Sequence, residues 1–207
     1  MTRIFFTADY HLDHTNIIRY CNRPFIHDGD IDKCTDDWIS EHIKETRKQE
    51  MNLTIVKNHN NIVTDDDIVY DLGDFCYKGV GNAKYWEQQL NGDIVHIRGN
   101  HDKNNGVKSY ITHAIMEFGG LVIYVTHKPP EEKQIDTIES NIINLCDLIL
   151  CGHIHNNWKH KYIEVWSYGC RVRKLCINVG VDVWNFEPIS INSILKYVAK
   201  IKHGDLK

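Results

Sequence analysis

Five short apolar runs in this sequence each release an aspartate, asparagine or histidine at their C-terminal side. The runs are residues 3–8 (RIFFTA), 67–72 (DIVYDL), 93–98 (DIVHIR), 121–126 (LVIYVT) and 147–151 (DLILC). After them come Asp9 and His11, then Gly73-Asp74, then Gly99 to Asp102 (GNHD), then His127, then Gly152 to His155 (GHIH). Runs rich in Ile, Val, Leu, Tyr and Phe read as strands. In open α/β sheets, ligands bind beyond the carboxyl ends of strands, so residues far apart in sequence converge on one edge. The pattern therefore predicts an α/β fold with a polar centre built from five strand ends.

Segments with helical spacing lie between the runs. One begins near Thr35, with Asp36 and Asp37 suited to a first turn and Trp38, Ile39, His42 and Ile43 on one face. A second, NAKYWEQQL, closes at Gly92. A third, residues 137–145, places Ile138, Ile142 and Leu145 on one side. The last follows Pro188, with Ser190 as N-cap and Ile191, Ile194, Leu195, Val198 and Ile201 beneath. Residues 161–179 read as two strands joined at Tyr168-Gly169, and residues 175–181 carry the apolar core of the second. No linker, repeat or low-complexity tract interrupts the alternation, so residues 1–207 are expected to form a single domain.

Composition narrows the function classes. The net charge is −4, too low a positive potential to draw in long duplex DNA or an anionic membrane. The lysines of the tail, Lys196, Lys200, Lys202 and Lys207, read as a solvated helix face. Seven cysteines without a C-x-x-C pair argue against a disulfide framework and for a reducing, cytoplasmic setting. Cys76, Cys146, Cys151 and Cys176 sit in apolar runs, where a small buried side chain is expected. No run approaches the ~20 apolar residues that span a bilayer, and the apolar stretch in residues 1–11 is too short to be expected as a signal peptide.

The residues after the strands make chemical sense around two cations. A carboxylate can bridge two ions ~3.5–4 Å apart, and Asp74, alone on its glycine turn, is best placed to do so. Asp9 and His11 are two residues apart and can hold one ion together. His153 and His155 can each face a different ion, Asn100 offers an amide oxygen and His127 an imidazole. Two divalent ions would leave this centre net positive, which suits a phosphate ester. Gly73, Gly99 and Gly152 allow sharp turns where a side chain would crowd the ions.

The ordered set D-x-H, G-D, G-N-H-D, a lone His and G-H-x-H resembles the calcineurin-like metallophosphoesterases. The stretches HTNIIRYCNRPF and NVGVDVWNFEP resemble a small bacterial and phage branch of that superfamily. The resemblance implies a four-layer α/β/β/α sandwich, two central sheets flanked by helices, with a bimetal site at the strand ends. It implies one ion held by Asp9, His11, Asp74 and His155, and another by Asp74, Asn100, His127 and His153. Mn²⁺ is the first expectation, with Fe, Zn²⁺, Co²⁺ or Ni²⁺ as alternatives. The implied reaction is hydrolysis of a phosphomonoester or phosphodiester by in-line attack of a metal-bridging hydroxide, with His101 protonating the leaving oxygen.

One departure affects that role. Many relatives continue the second motif as G-D-x-x-D-R-G, where this chain has GDFCYKG. Tyr77 stands in place of the Asp that orients the catalytic His, and Lys78 in place of a phosphate-binding Arg. Asp102, beside His101, is the candidate to compensate. Lys78, Arg23 and His14 are the candidate substrate contacts. For Arg23, a surface arginine before Pro24 is an equal reading. Loops 14–34, 103–112 and 128–133 would set specificity, and a nucleotide or nucleic-acid end is among the esters they could admit.

Two rivals make different demands. A metallo-β-lactamase-type site would read DYHLDH as its motif and recruit Asp13 and His14 as ligands. A non-catalytic scaffold of the same fold would be expected to have lost ligands, whereas every motif position here is filled. His59, His96, His113 and His160 match no motif and are expected to be structural, as are Trp38, Trp86 and Trp158 in packing.

Overall fold

In a computed structural model, residues 1–28, 30, 41–77, 81–131 and 137–205 are described. The strands are β1 (Ile4–Thr7), β2 (Ile68–Asp71), β3 (Asp93–His96), β4 (His113–Phe118), β5 (Leu121–Thr126), β6 (Leu148–Cys151), β7 (His160–Ser167), β8 (Cys170–Asn178) and β9 (Ile189–Ser190). The helices are α1 (Thr15–Tyr20), α2 (Glu41–Ile62), α3 (Asn82–Glu87), α4 (Asp102–Asn105), α5 (Ile138–Asn144) and α6 (Ile191–His203). Two mixed sheets result, in the orders β3-β2-β1-β9 and β4-β5-β6-β8-β7. Parallel pairs β1–β2, β2–β3, β5–β6 and β6–β8 point the carboxyl ends of the motif-bearing strands the same way within each sheet.

Side-chain alternation assigns the layers. Phe6, Leu148, Leu150, Ile123, Val125, Leu175 and Ile177 share one buried cluster between the two sheets. The neighbouring residues turn outward. Phe5 and Val69 pack with Ile62 and Val63 at the end of α2, and Tyr124, Ile149 and Cys176 pack with Ile143 of α5. Helices therefore flank both sheets, as expected for the α/β/β/α sandwich. α6 adds Ile191, Ile194, Val198 and Ile201 to the inter-sheet core, with Ser190 accepting from the Ser193 N–H as its cap.

Three elements differ from the sequence reading. α5 has the expected start, with Thr137 and Ser140 forming a reciprocal cap, but it buries Ser140 and Ile143 and leaves Ile138 and Leu145 exposed. The outward faces of β5 and β6 offer their apolar surface to the Ile143 side. β4 has no counterpart in the prediction. It is an edge strand of alternating exposure whose outer face carries Ile115, which blurs the apolar alternation. α2 runs to Ile62, well beyond the predicted apolar stripe. Its buried side includes Asn52 and His59, so polar bonds replace part of the apolar face. The predicted start of that helix, with Thr35, Trp38 and Ile39, lies outside the described residues.

Candidate metal centre

The first two strand ends are locked together by continued backbone pairing. The Asp9 N–H donates to Gly73 O at 2.9 Å, His11 N–H to Asp74 O at 3.0 Å and Leu12 N–H to Phe75 O at 3.0 Å. This sets Asp9, His11 and Asp74 side by side. The required turns are unusual: Asp9, His11, Asp74, His153 and His155 all have φ between 49° and 72°. Asp is among the residues that tolerate the left-handed region, and His is also enriched there. The glycines answer a different need. A Cβ on Gly99 would lie 2.3 Å from Asp74 N, and one on Gly152 would lie 2.9 Å from Asp9 Oδ2.

Seven side chains expected to be ligands converge. Asp9, His11 and His155 form one group with ligand atoms within 4.8 Å of one another, and Asp74, His127 and His153 form a second. Asp74 lies between them, its Oδ2 3.6 Å from His11 Nε2 and 3.4 Å from His127 Nε2. Asn100 Oδ1 is 3.0 Å from His127 Nε2. The His127 Nδ1–H donates to Leu72 O at 2.8 Å, which turns Nε2 toward the centre. Each group draws from both sheets, because β1, β2 and β3 carry the Asp9 to Asn100 ligands while β5 and β6 carry the other histidines.

The electrostatics call for cations. His11 Nε2 is buried and lacks a hydrogen-bond partner, since 3.6 Å to Asp74 is too long for one. Burial pushes the Asp9 carboxyl up to about 7, against the pull of His155 and His127. Its oxygens accept the His153 N–H, at 2.8 Å for Oδ2. Burial also disfavours charge on Asp74, but the hydrogen bond with His127 and the neighbouring His11 hold it below the usual carboxylate range. Burial and the neighbouring His127 lower His153 to about 4, so its imidazole is a neutral donor. Two buried carboxylates, an orphaned imidazole nitrogen on His11 and a neutral His153 suit divalent ions, which would take the place of the protons that the carboxylates Asp74 and Asp182 hold on His127 and His155.

The sequence from residue 3 to residue 183 matches the model of the calcineurin-like phosphoesterase superfamily domain. The chain belongs to the calcineurin-like phosphoesterase superfamily. It is 35% identical over 204 residues to the uncharacterized protein MJ1445 of Methanocaldococcus jannaschii, covering 98% of this chain and 94% of that one. Among solved structures, the protein of unknown function AQ665 from Aquifex aeolicus superposes with a TM-score of 0.60 at 21% identity, over 95% of this chain and 100% of that one. An archaeal phosphodiesterase superposes with a TM-score of 0.38 at 18% identity, over 92% of this chain and 99% of that one.

Other residues of this member of the superfamily fall differently from expectation. Asp102 is buried, and its carboxylate accepts the backbone N–H groups of Asp74, Phe75 and Gly99 at 3.1, 3.0 and 2.6 Å. It braces two ligand turns against each other and makes no hydrogen bond to the His101 ring among the described residues. Arg23 does not face outward toward phosphate. Its buried guanidinium donates to Asp182 and to the carbonyls of Asp9 and Tyr10, so the surface reading of this arginine is also set aside. Lys78 lies outside the described residues.

His101 is half-buried beside the first group, its ring centroid 5.6 Å from that of His11, and its backbone N–H donates to Asp74 Oδ1 at 2.9 Å. His14 Nδ1 is 3.1 Å from His11 Nδ1, and its ring stacks on Tyr77 at 4.4 Å. Tyr77 thus supports His14. Asp13 belongs to neither ligand group. It accepts from Asn52, Asn82 and the Trp86 indole at 2.7, 2.7 and 2.9 Å, tying the first strand end to α2 and α3. That commitment removes the ligand required by a metallo-β-lactamase-type site.

His59 bridges Tyr10 and Asn91, and His96, His113 and His160 contact Asp71, Tyr124 and Tyr197. None joins a ligand group. Sequence reasoning passed over Asp182, which the His155 Nδ1–H contacts at 3.0 Å. It follows a sixth strand end, that of β8, and the NVGVD stretch was the available signal.

Proposed function

We propose that this protein is a two-metal-dependent phosphoesterase that hydrolyses a phosphodiester or phosphomonoester. The observation that carries the reading is the position of Asp74 Oδ2 between His11 Nε2 and His127 Nε2, with Asp9, His11 and His155 on one side and His127 and His153 on the other. When bound, a pair of divalent cations supplies Lewis acidity to the phosphoryl group and to the attacking water.

The chain supplies the rest. Asp9, His11, Asp74 and His155 form one ligand set, and Asp74, Asn100, His127 and His153 the other. With His11 presenting Nε2 to an ion, its Nδ1 carries the proton and donates to His14 Nδ1. His14 then offers an N–H from Nε2 to a substrate oxygen. His101, beside the first group, protonates the leaving oxygen. Mixed carboxylate, amide and imidazole donors accept Mn²⁺, which we take as the working ion, ahead of Fe, Zn²⁺, Co²⁺ or Ni²⁺. Lys78 remains the candidate for a phosphate-contacting charge. The substrate is a phosphate ester, with a nucleotide or nucleic-acid end among the candidates.

The six described cysteines are free, and no helix among the described residues is long and apolar enough to cross a membrane. The free thiols support a reducing, cytoplasmic setting.

The deciding experiment is hydrolysis of bis(p-nitrophenyl) phosphate and of p-nitrophenyl phosphate by chelator-stripped protein, before and after adding Mn²⁺. Turnover that returns with Mn²⁺ is expected, and the ester that is cleaved assigns diesterase or monoesterase activity. Protein that takes up Mn²⁺ and cleaves neither ester would overturn the enzyme reading in favour of a metal-binding scaffold.

A further inference from the structure

Behind His155 lies an ionic pair that no ligand motif includes. The side chains of Arg23 and Asp182 are almost fully enclosed, at 0% and 3% exposure. Arg23 Nε donates to Asp182 Oδ1 at 2.8 Å and Nη2 to Oδ2 at 3.1 Å. The same guanidinium donates to Asp9 O at 2.6 Å and Tyr10 O at 3.0 Å. Asp182 Oδ2 in turn accepts the His155 Nδ1–H at 3.0 Å. One hydrogen-bonded chain thus runs from the backbone of Asp9 through Arg23 and Asp182 to the imidazole of His155. Asp9 comes from the end of β1 in one sheet and His155 from beyond β6 in the other.

We propose that Asp182, held by Arg23, is a positioning residue that preassembles the Asp9–His11–His155 ion site and has little part in the second. A carboxylate on Nδ1 fixes the tautomer in which Nε2 carries the lone pair and sets the ring's orientation; such outer partners typically carry about 10–100-fold in metal affinity. Arg23 extends the effect to the opposite ligand. By gripping two successive carbonyls, it holds the left-handed turn at Asp9 in register with the imidazole across the sheets. The second site, around Asp74, His127 and His153, takes its orientation from a different partner, the Leu72 carbonyl on His127 Nδ1. The inference rests on the two-metal reading of the centre.

A competing assignment comes from the same place. Cys21, His155 and Asp182 also bring ligand atoms within 4.8 Å of one another, so Asp182 could itself be a ligand alongside Cys21. Arg23 argues against this, because both Asp182 oxygens already accept from the guanidinium.

The test is calorimetric titration of Mn²⁺ into chelator-stripped wild-type protein and into Asp182→Asn, Cys21→Ser and His155→Ala. Wild type is expected to take two ions. Asp182→Asn should bind one normally and the other about 10–100-fold more weakly, in the same direction as His155→Ala, and Cys21→Ser should match wild type. The retained ion reports an intact fold, which a merely structural role for Asp182 would not spare selectively. If Asp182→Asn fails to fold, Asp182→Glu keeps a charge opposite Arg23 while displacing the carboxylate, and it should show the same split. Asp182 variants that bind both ions like wild type would overturn the proposal while leaving the two-metal reading intact. Loss in Cys21→Ser equal to that in Asp182→Asn would overturn it in favour of a ligand role. Wild type that takes up no Mn²⁺ would overturn the metal reading and this inference with it.

Discussion

His101 and Asp102 are adjacent in sequence and do different work. The His101 ring lies beside the first ligand group, whereas the Asp102 carboxylate points into the protein and collects three backbone N–H groups. A general acid matters most when the leaving oxygen is a poor one, and its contribution is typically ~10²–10⁴-fold. His101→Asn should therefore slow an alkyl phosphate ester by about that factor while affecting a p-nitrophenyl ester far less. Equal losses on both esters, measured as kcat, would remove His101 from the acid role. The side chains that converge in the two groups were readable in the sequence because each is a chemically distinctive residue just past an apolar run. The direction in which Asp102 and Arg23 point was not. Both are charged residues near a motif, and only the packed structure shows their carboxylate and guanidinium turned inward onto backbone groups.

Between elements, His96 at the end of β3 makes a polar link to two others. Its Nδ1 contacts Asp71 of β2 at 2.7 Å and its Nε2 contacts Glu87 of α3 at 3.2 Å. Burial alone would lower this imidazole's pKa, but the two carboxylates outweigh it and lift the value to about 10. The unfolded chain holds such a proton only below about 6.5. The associated stability is complete below that value and is lost as pH rises through about 10. The melting temperature should accordingly fall between pH 7 and 10, and His96→Gln should flatten that slope. His96→Ala removes one partner from a buried pair and should cost ~3–5 kcal/mol. A melting temperature indifferent to pH in that range would discount the link. The strands carrying the motifs and the amphipathic α6 were legible because their buried residues are apolar and periodic. α2 was not, because its buried side carries Asn52, bonded to Asp13, and His59, bonded to Tyr10. A face that buries polar groups against polar partners leaves no apolar period to read.

For the molecule as a whole, the notable fact is where the two ligand groups take their members from. The Asp9–His11–His155 group and the Asp74–His127–His153 group each combine residues of one sheet with residues of the other. Under the proposed two-metal reading, divalent ions join the rims of the two sheets whose apolar faces already share a core. A ligand that binds only the folded chain stabilises it by about 2.7 kcal/mol at a hundredfold excess over its Kd. Mn²⁺ should therefore raise the melting temperature by several degrees, and chelator should return it to the metal-free value. Asp74→Asn, which weakens the shared ligand, should lose most of that increment. A melting temperature unmoved by Mn²⁺ would mean that the rims are not joined this way.

The left-handed turns at Asp9, His11, Asp74, His153 and His155 also bear on how such a chain can change over time. Each places a side chain with a Cβ in a conformation that glycine occupies more easily, at a cost of order 1–3 kcal/mol. Under the two-metal reading, replacement by glycine would relax the backbone while deleting a ligand, so loss of the metal would be, locally, a downhill step for folding. Under the two-metal reading, the five candidate ligands therefore stand in turns that their own backbones disfavour.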